Sequence, residues 1–114
     1  MADDTLPLLK GTLDLLVMKT LSWGPRHGFG ISQWLEQRSD GEVEIDDSAL
    51  YHALHRLEER GLVDAAWGIT ENNRKARYYR LTAAGTSRLR AESDTWERYS
   101  RVVGRILAFA PRTT

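Results

Sequence analysis

The last third of the chain carries one unbroken helical pattern, and it is too long for a core this small. Thr82 offers an N-cap, and from there to about Phe109 no proline interrupts the run. At 1.5 Å per residue such a helix extends about 40 Å. Leu89, Trp96 and Val103 recur every seven residues, with Tyr99 and Ile106 three places after Trp96 and Val103, and only Glu92 breaks the apolar series. A heptad series of this kind implies a helix–helix seam. Periodicity leaves open whether the partner lies in the same chain or in a second copy. Arg90, Glu97, Arg98, Arg101 and Arg105 fall on the remaining faces and suit a solvated exterior.

The opposite end of the chain also has more apolar surface than one partner can cover. Residues 8–22 read as a helix that Gly24 and Pro25 stop. Leu9, Leu13, Leu16, Val17 and Leu21 make one stripe; Leu8, Leu15 and Met18 make a second on the other side. A helix that is apolar nearly all round needs two neighbours. With 114 residues there is room for one domain and not for two independent cores, so the second neighbour is expected to be another subunit.

Between these two helices the pattern changes several times. His27–Arg38 reads as a second helix, with Phe29, Ile31, Trp34 and Leu35 apolar and Gly30 open to close approach by the first helix. Residues 42–46 alternate polar and apolar and read as a short strand. Asp46 or Asp47 can then cap a third helix, Ser48–Arg60, which Gly61 ends. Leu62–Trp67 and Arg77–Leu81 read as the arms of a β-hairpin around a polar loop, Gly68–Ala76. The predicted fold is therefore mainly α with a small β-hairpin: a winged helix-turn-helix over residues 1–81, and a long C-terminal helix and tail over 82–114 that a second copy could cover as a dimerisation element.

Two segments have chemistry suited to nucleic acid. With the leucines of the third helix turned inward, Ser48, Tyr51, His52, His55 and Arg56 face out, a mixture of donors and acceptors suited to base edges and phosphates. A plain solvated helix face is the alternative. At the hairpin, Arg74, Lys75, Arg77 and Arg80 are interleaved with Tyr78 and Tyr79. A basic ribbon of this sort reaches a phosphate backbone or a minor groove; a solvated charge run is again the alternative. Strand alternation puts Arg77 and Tyr79 on one side, Tyr78 and Arg80 on the other. Helix and ribbon in this order are more specific than either alone.

Charge is a debit against that reading. Sixteen basic side chains balance sixteen acidic ones, whereas many DNA-binding domains are strongly basic. The distribution is uneven, with six acidic and two basic residues over 21–47 and the basic ones concentrated beyond 71. The acids of Asp40–Asp47 would repel phosphates unless they turn inward or cap the helix. A winged-helix module that binds protein and not DNA is accordingly the second reading.

Other function classes find little in the sequence. There is no cysteine, which excludes disulfides and thiolate zinc sites and fits a reducing, cytoplasmic location. No apolar run approaches the roughly 20 residues of a membrane span, and Asp3 and Asp4 are the wrong charge for a secretory leader. Ser48 and His52 could meet on one helix, but no carboxylate orients them. His52, His55 and Glu59 match no strong metal-ligand motif. No enzyme activity, metal or cofactor is expected.

The run Leu50-Tyr51-His52-Ala53-Leu54-His55-Arg56-Leu57-Glu58-Glu59-Arg60-Gly61-Leu62 resembles the recognition helix of PadR-like transcriptional regulators. Gly28-Phe29-Gly30-Ile31, Arg77-Tyr78-Tyr79-Arg80-Leu81-Thr82 and Gly85 strengthen the resemblance, which spans about Leu8 to Leu107 and is closest to the short subgroup with a single C-terminal helix. It implies a homodimeric repressor acting on double-stranded DNA at an inverted-repeat operator and released by a small molecule or a stress signal. It also implies that Leu8, Leu15, Leu89, Trp96, Tyr99, Val103 and Ile106 lie at the subunit interface. Some members hold planar aromatic compounds between subunits through a tryptophan of the last helix, which would place such a ligand at Leu15, Lys19 and Trp96; packing of the dimer seam is the other role open to Trp96. The family commonly has proline after the tyrosine of the recognition helix, where this chain has His52.

Overall fold

The computed structural model describes residues 11–111. In chain order these form α1 (Thr12–Leu21), β1 (Arg26–His27), α2 (Gly28–Arg38), α3 (Asp47–Glu59), β2 (Val63–Ile69), β3 (Lys75–Leu81) and α4 (Ala83–Ala108). The three strands make one antiparallel sheet in the order β1-β3-β2. The expected fold class is therefore present: helices, a small sheet and a long C-terminal helix. Leu8, one of the expected interface residues, lies outside the described residues.

Local chemistry accounts for the helix boundaries. His27 caps α2, its Nδ1 accepting from the Gly30 N–H at 3.0 Å. Gly30 leaves room for that imidazole: a Cβ there would meet the His27 ring at 3.4 Å. The close approach expected between Gly30 and α1 is thus made to the cap instead. Asp46 caps α3 through the Ala49 N–H. At the other end Gly61 takes a left-handed φ of 72°, letting Leu62 N–H reach the Leu57 carbonyl and Gly61 N–H the Glu58 carbonyl. This is a Schellman ending, which satisfies carbonyls the helix leaves free. Thr82 caps α4, its hydroxyl accepting from Gly85 N–H at 3.0 Å while donating to the Gly61 carbonyl at 2.7 Å.

Residues 42–46 form no strand. The edge of β3 that such a strand could pair with is occupied by β1, Arg26 opposite Tyr79 and His27 opposite Tyr78. The alternation seen there serves a different end: Ile45 packs against the core, and the Val43 N–H bonds the Ser39 hydroxyl. The hairpin, conversely, is longer than its predicted arms. Pairing runs out to Ile69 opposite Lys75, and the turn is closed by Thr70 and Arg74, with Asn73 at a φ of 60°.

The core lies where α1, α2, α3 and the base of the sheet meet. Val17, Met18, Leu21, Ile31, Leu54, Leu57 and Val63 are buried, and Leu13, Leu15 and Leu16 pack partly against them. Only the first turns of α4 join this core, through Gly85 and Leu89. The rest projects, stretching the chain to 67 × 38 × 20 Å with a radius of gyration of 16.9 Å, against about 13 Å for a compact domain of this length.

Gly85 sets the start of that projection. A Cβ at this position would collide with the Leu62 carbonyl oxygen and lie 2.8 Å from a Leu81 methyl. Backbone cannot yield as a flexible side chain does, so overpacking of this kind costs about 1–3 kcal/mol. Gly85→Ala is expected to lower the thermal midpoint by about 10 °C in a melt followed by circular dichroism; an unchanged midpoint would show that the approach of α4 to Leu62 is not required.

Candidate nucleic-acid interface

Burial of Leu50, Ala53, Leu54 and Leu57 determines which side chains of α3 meet solvent. Ser48, Tyr51, His52 and His55 are all exposed, Tyr51 by 69%. A tyrosine so exposed on a helix adds little to the core. His55 Nε2 lies 3.5 Å from Glu59 Oε2, one turn further on. The acidic stretch before the helix is partly accounted for: Asp46 is the cap, and Asp40 sits in the turn after α2 at a φ of 54°.

Arg56 has a partner inside the chain. Its guanidinium grips Asp14 of α1 with both arms, Nη2 to Oδ1 at 2.7 Å and Nε to Oδ2 at 3.3 Å. The hydrogen bond to Asp14, outweighing some desolvation, raises the Arg56 pKa further above its ordinary value. The fork is therefore drawn toward α1, apart from the Ser48–His55 surface.

The hairpin register puts Val63, Ala65, Trp67 and Ile69 of β2 on one face with Leu81, Tyr79, Arg77 and Lys75 of β3. At the base this face is core, with Val63 and Tyr79 buried. Burial raises the Tyr79 pKa, against a smaller opposing effect of Arg77, so the phenol stays neutral. Arg77 lies 5.9 Å from the Tyr79 ring and its Nη2 bonds Glu58 of α3 at 2.8 Å. This ion pair ties the wing to the end of the third helix. Arg74 and Lys75 are exposed at the tip, and Lys75 Nζ stands 5.6 Å from the Trp67 ring centroid. On the other face Arg80 pairs with Asp64, which raises its pKa.

Sequence reasoning missed Asp14 and Glu58 as partners, because they are 42 and 19 residues from the arginines they hold. It also passed over Trp67 and Ile69. Extending the strand alternation two residues past Trp67 would have placed both beside Lys75.

A helix with a polar exposed face, a basic wing locked beside it and a capped long helix behind is the arrangement of a winged-helix regulator. The model of the transcriptional regulator PadR-like family matches residues 17–91. The chain belongs to the PadR-like family. Among solved structures it is similar to a transcriptional regulator from Clostridium thermocellum, at 27% identity and a TM-score of 0.77 over 84% of this chain and 93% of that one. A PadR family transcriptional regulator from Eggerthella lenta is 29% identical, with a TM-score of 0.75 over 89% and 86% of the two chains. A protein from Streptococcus mutans shares the fold at a TM-score of 0.80, with 24% identity over 96% and 98%. Membership makes this PadR-like chain a DNA-binding transcriptional regulator.

Other expected residues lie between α1 and α4. Leu15, Trp96 and Tyr99 line a groove of about 590 Å³ there, together with Thr12, Glu92 and Thr95. The Trp96 and Tyr99 rings are tilted at 6.1 Å. Lys19 is exposed in the last turn of α1 and is not part of the lining. Leu89 is buried in the chain's own core, Val103 is half-buried, and Trp96, Tyr99 and Ile106 are exposed by 40, 58 and 66%.

The Arg56–Asp14 fork predicts a measurable coupling. Asp14 is only 14% exposed and Arg56 45%, so solvent screening limits the pair to about 1 kcal/mol. Urea unfolding of Arg56→Ala, Asp14→Ala and the double variant should give losses that do not add, with a coupling near that value. Strict additivity would mean the two side chains do not hold α1 to α3.

Proposed function

We propose that the protein is a homodimeric repressor that reads an inverted-repeat operator in double-stranded DNA with α3 and grips the flanking backbone with the wing. The observation that carries this is the Arg77–Glu58 bond, because it holds a basic hairpin in a set position beside the exposed face of Ser48, Tyr51, His52 and His55. In the helix-turn-helix family of motifs the N-terminal half of the second helix enters the major groove. The hydroxyls and imidazoles there are the reading groups. Arg74 and Lys75 are phosphate contacts. Arg77 and Arg56 act one step back, as the ties that set wing and helix in place.

The dimer reading rests on exposed apolar side chains. Trp96, Tyr99 and Ile106 are large exposed groups on α4, which projects from its own core, and Leu15 of α1 is half-buried beside the groove that Trp96 and Tyr99 line; a second copy would remove the exposed groups from water. Residues 1–81 would then be the DNA-binding head and 82–114 the dimerisation element, in a protein working in the cytoplasm. The groove at Leu15 and Trp96 is the place for a planar aromatic effector that stacks on the indole and releases the operator; Lys19 would take part only if the partner subunit brings it near.

Selection of bound fragments from a random DNA pool tests the reading directly. An inverted repeat should emerge with half-sites about 34 Å, or one turn, apart. On that operator Tyr51→Phe should cost about 1 kcal/mol, the scale of one hydrogen bond. His52→Ala and His55→Ala should change which bases are preferred. Arg74→Ala should weaken all sequences alike and lower the salt slope by about one. If the pool yields no enriched sequence, α3 is not a reading head.

The assembly has its own check. Sedimentation should give about twice 13.0 kDa, and Trp96→Asp, which would place a charge in the seam, should yield monomer or unfolded chain. A stable wild-type monomer would contradict the dimer.

A further inference from the structure

Trp67 stands 67% exposed in the middle of β2, and Ile69, two residues on, is 62% exposed. Neither is needed to hold the ribbon together. The opposite face does that: Tyr78 lies over Gly68, where a Cβ would come within 2.8 Å of its ring, and its hydroxyl donates to the Ile69 carbonyl. The His27 and Tyr78 rings meet edge to face, their centroids 5.2 Å apart, which ties that face to the start of α2. The hairpin is thus stiffened from behind, while two large apolar side chains occupy the face that α3 shares through Arg77 and Glu58.

On that face the indole stands directly opposite Arg77 in the register, and the Lys75 ammonium sits 5.6 Å from its ring centroid. Ile69 is directly opposite Lys75 in the register, so the lysine stem runs between two apolar groups. A lysine loses considerable rotamer freedom when it is fixed on a target. Here part of that loss is already taken in the free protein. Next to it, Arg74 adds a second positive charge at the turn.

We propose that Trp67 is a further DNA-binding residue. Its indole packs on the deoxyribose edge of the backbone beside the wing, and it positions the Lys75 ammonium for the adjacent phosphate. This deepens the DNA-binding reading and rests on it. The chemistry fits a duplex backbone, which presents apolar sugar faces and anionic phosphates in alternation. An apolar plate with a held cation beside it is complementary to that pattern, and an apolar protein partner would not use the cation. Because sugars and phosphates are common to all sequences, the contact reads groove shape and not base identity.

The test uses Trp67→Ala, Trp67→Phe, Lys75→Ala and the Trp67→Ala/Lys75→Ala double variant of the full chain. Anisotropy titrations across a salt series would use two labelled duplexes of about 30 base pairs, one selected by the wild-type protein and one of random sequence. Trp67→Ala should weaken both by about tenfold, the scale of a lost contact together with lost ordering of one long side chain. Its salt slope should fall toward that of Lys75→Ala. Lys75→Ala should cost less in the Trp67→Ala background than alone, and Trp67→Phe should recover most of the affinity. Exposure of the indole predicts a thermal midpoint close to wild type in the alanine variant, and the phenylalanine variant keeps the comparison valid if it is not. Wild-type affinity in Trp67→Ala, alongside a loss in Arg74→Ala, would overturn the role of Trp67 and leave DNA binding intact. A change in sedimenting mass in Trp67→Ala would assign the indole to a contact between copies and overturn it too. If the wild-type protein binds neither duplex, the DNA-binding reading itself falls.

Discussion

Leu50, Leu54 and Leu57 leave water together when α3 packs onto α1 and the base of the sheet, and each contributes on the order of 1.5–3 kcal/mol by doing so. Ala53, fully buried between them, lets the helix come close. Rotation of α3 about its axis by one residue would move a leucine into solvent and a histidine or tyrosine into the core. That penalty is what holds Ser48, Tyr51, His52 and His55 outward. The helix ends are held by the same residues' neighbours: Asp46 at the start, Gly61 and Leu62 at the finish. The Leu62 carbonyl, in turn, receives the Thr82 N–H and is the surface that Gly85 approaches. The position of α4 thus depends on how α3 ends.

The ion pairs work on a smaller energy scale and a different task. Arg80–Asp64 is largely solvated, and Arg56–Asp14 and Arg77–Glu58 each keep a part-exposed guanidinium, so their share of the stability is modest. They join α3 to α1, the wing to α3, and the two strands to each other. This also explains how a neutral chain presents a cationic tip. Several carboxylates are used against arginines within the fold, and Asp46 is used at a helix start where negative charge is favourable. Among the described residues neither Arg74 nor Lys75 has such a carboxylate partner, and they stand at the end of the hairpin.

What was legible in the sequence was whatever local chemistry decides. The apolar spacing of α3, its Asp cap and its glycine ending, the Thr82 cap and the uninterrupted α4 could all be read residue by residue. β1 could not, since two residues carry no periodicity and pair only because β3 offers an edge. The alternation at 42–46 was real but reflected Ile45 reaching back to the core. Of the site, the outward residues of α3 and the basic tip follow from pattern. The partners of Arg56 and Arg77 depend on how distant segments pack, which no local window contains. Local alternation ends the strand on Trp67, whereas the turn chemistry of Thr70, Asn73 and Arg74 lets pairing run two residues further.

In the proposed complex, two copies of one head, each with a reading helix and a wing held beside it, meet one face of a duplex. Hydroxyl-radical footprinting of the wild-type protein on a selected fragment tests this arrangement most directly. Two equivalent protected patches are expected on one face, centred about one turn, or 34 Å, apart, with weaker flanking protection where the wings meet the backbone. A single patch, or uniform protection along the fragment that disappears with modest salt, would contradict it.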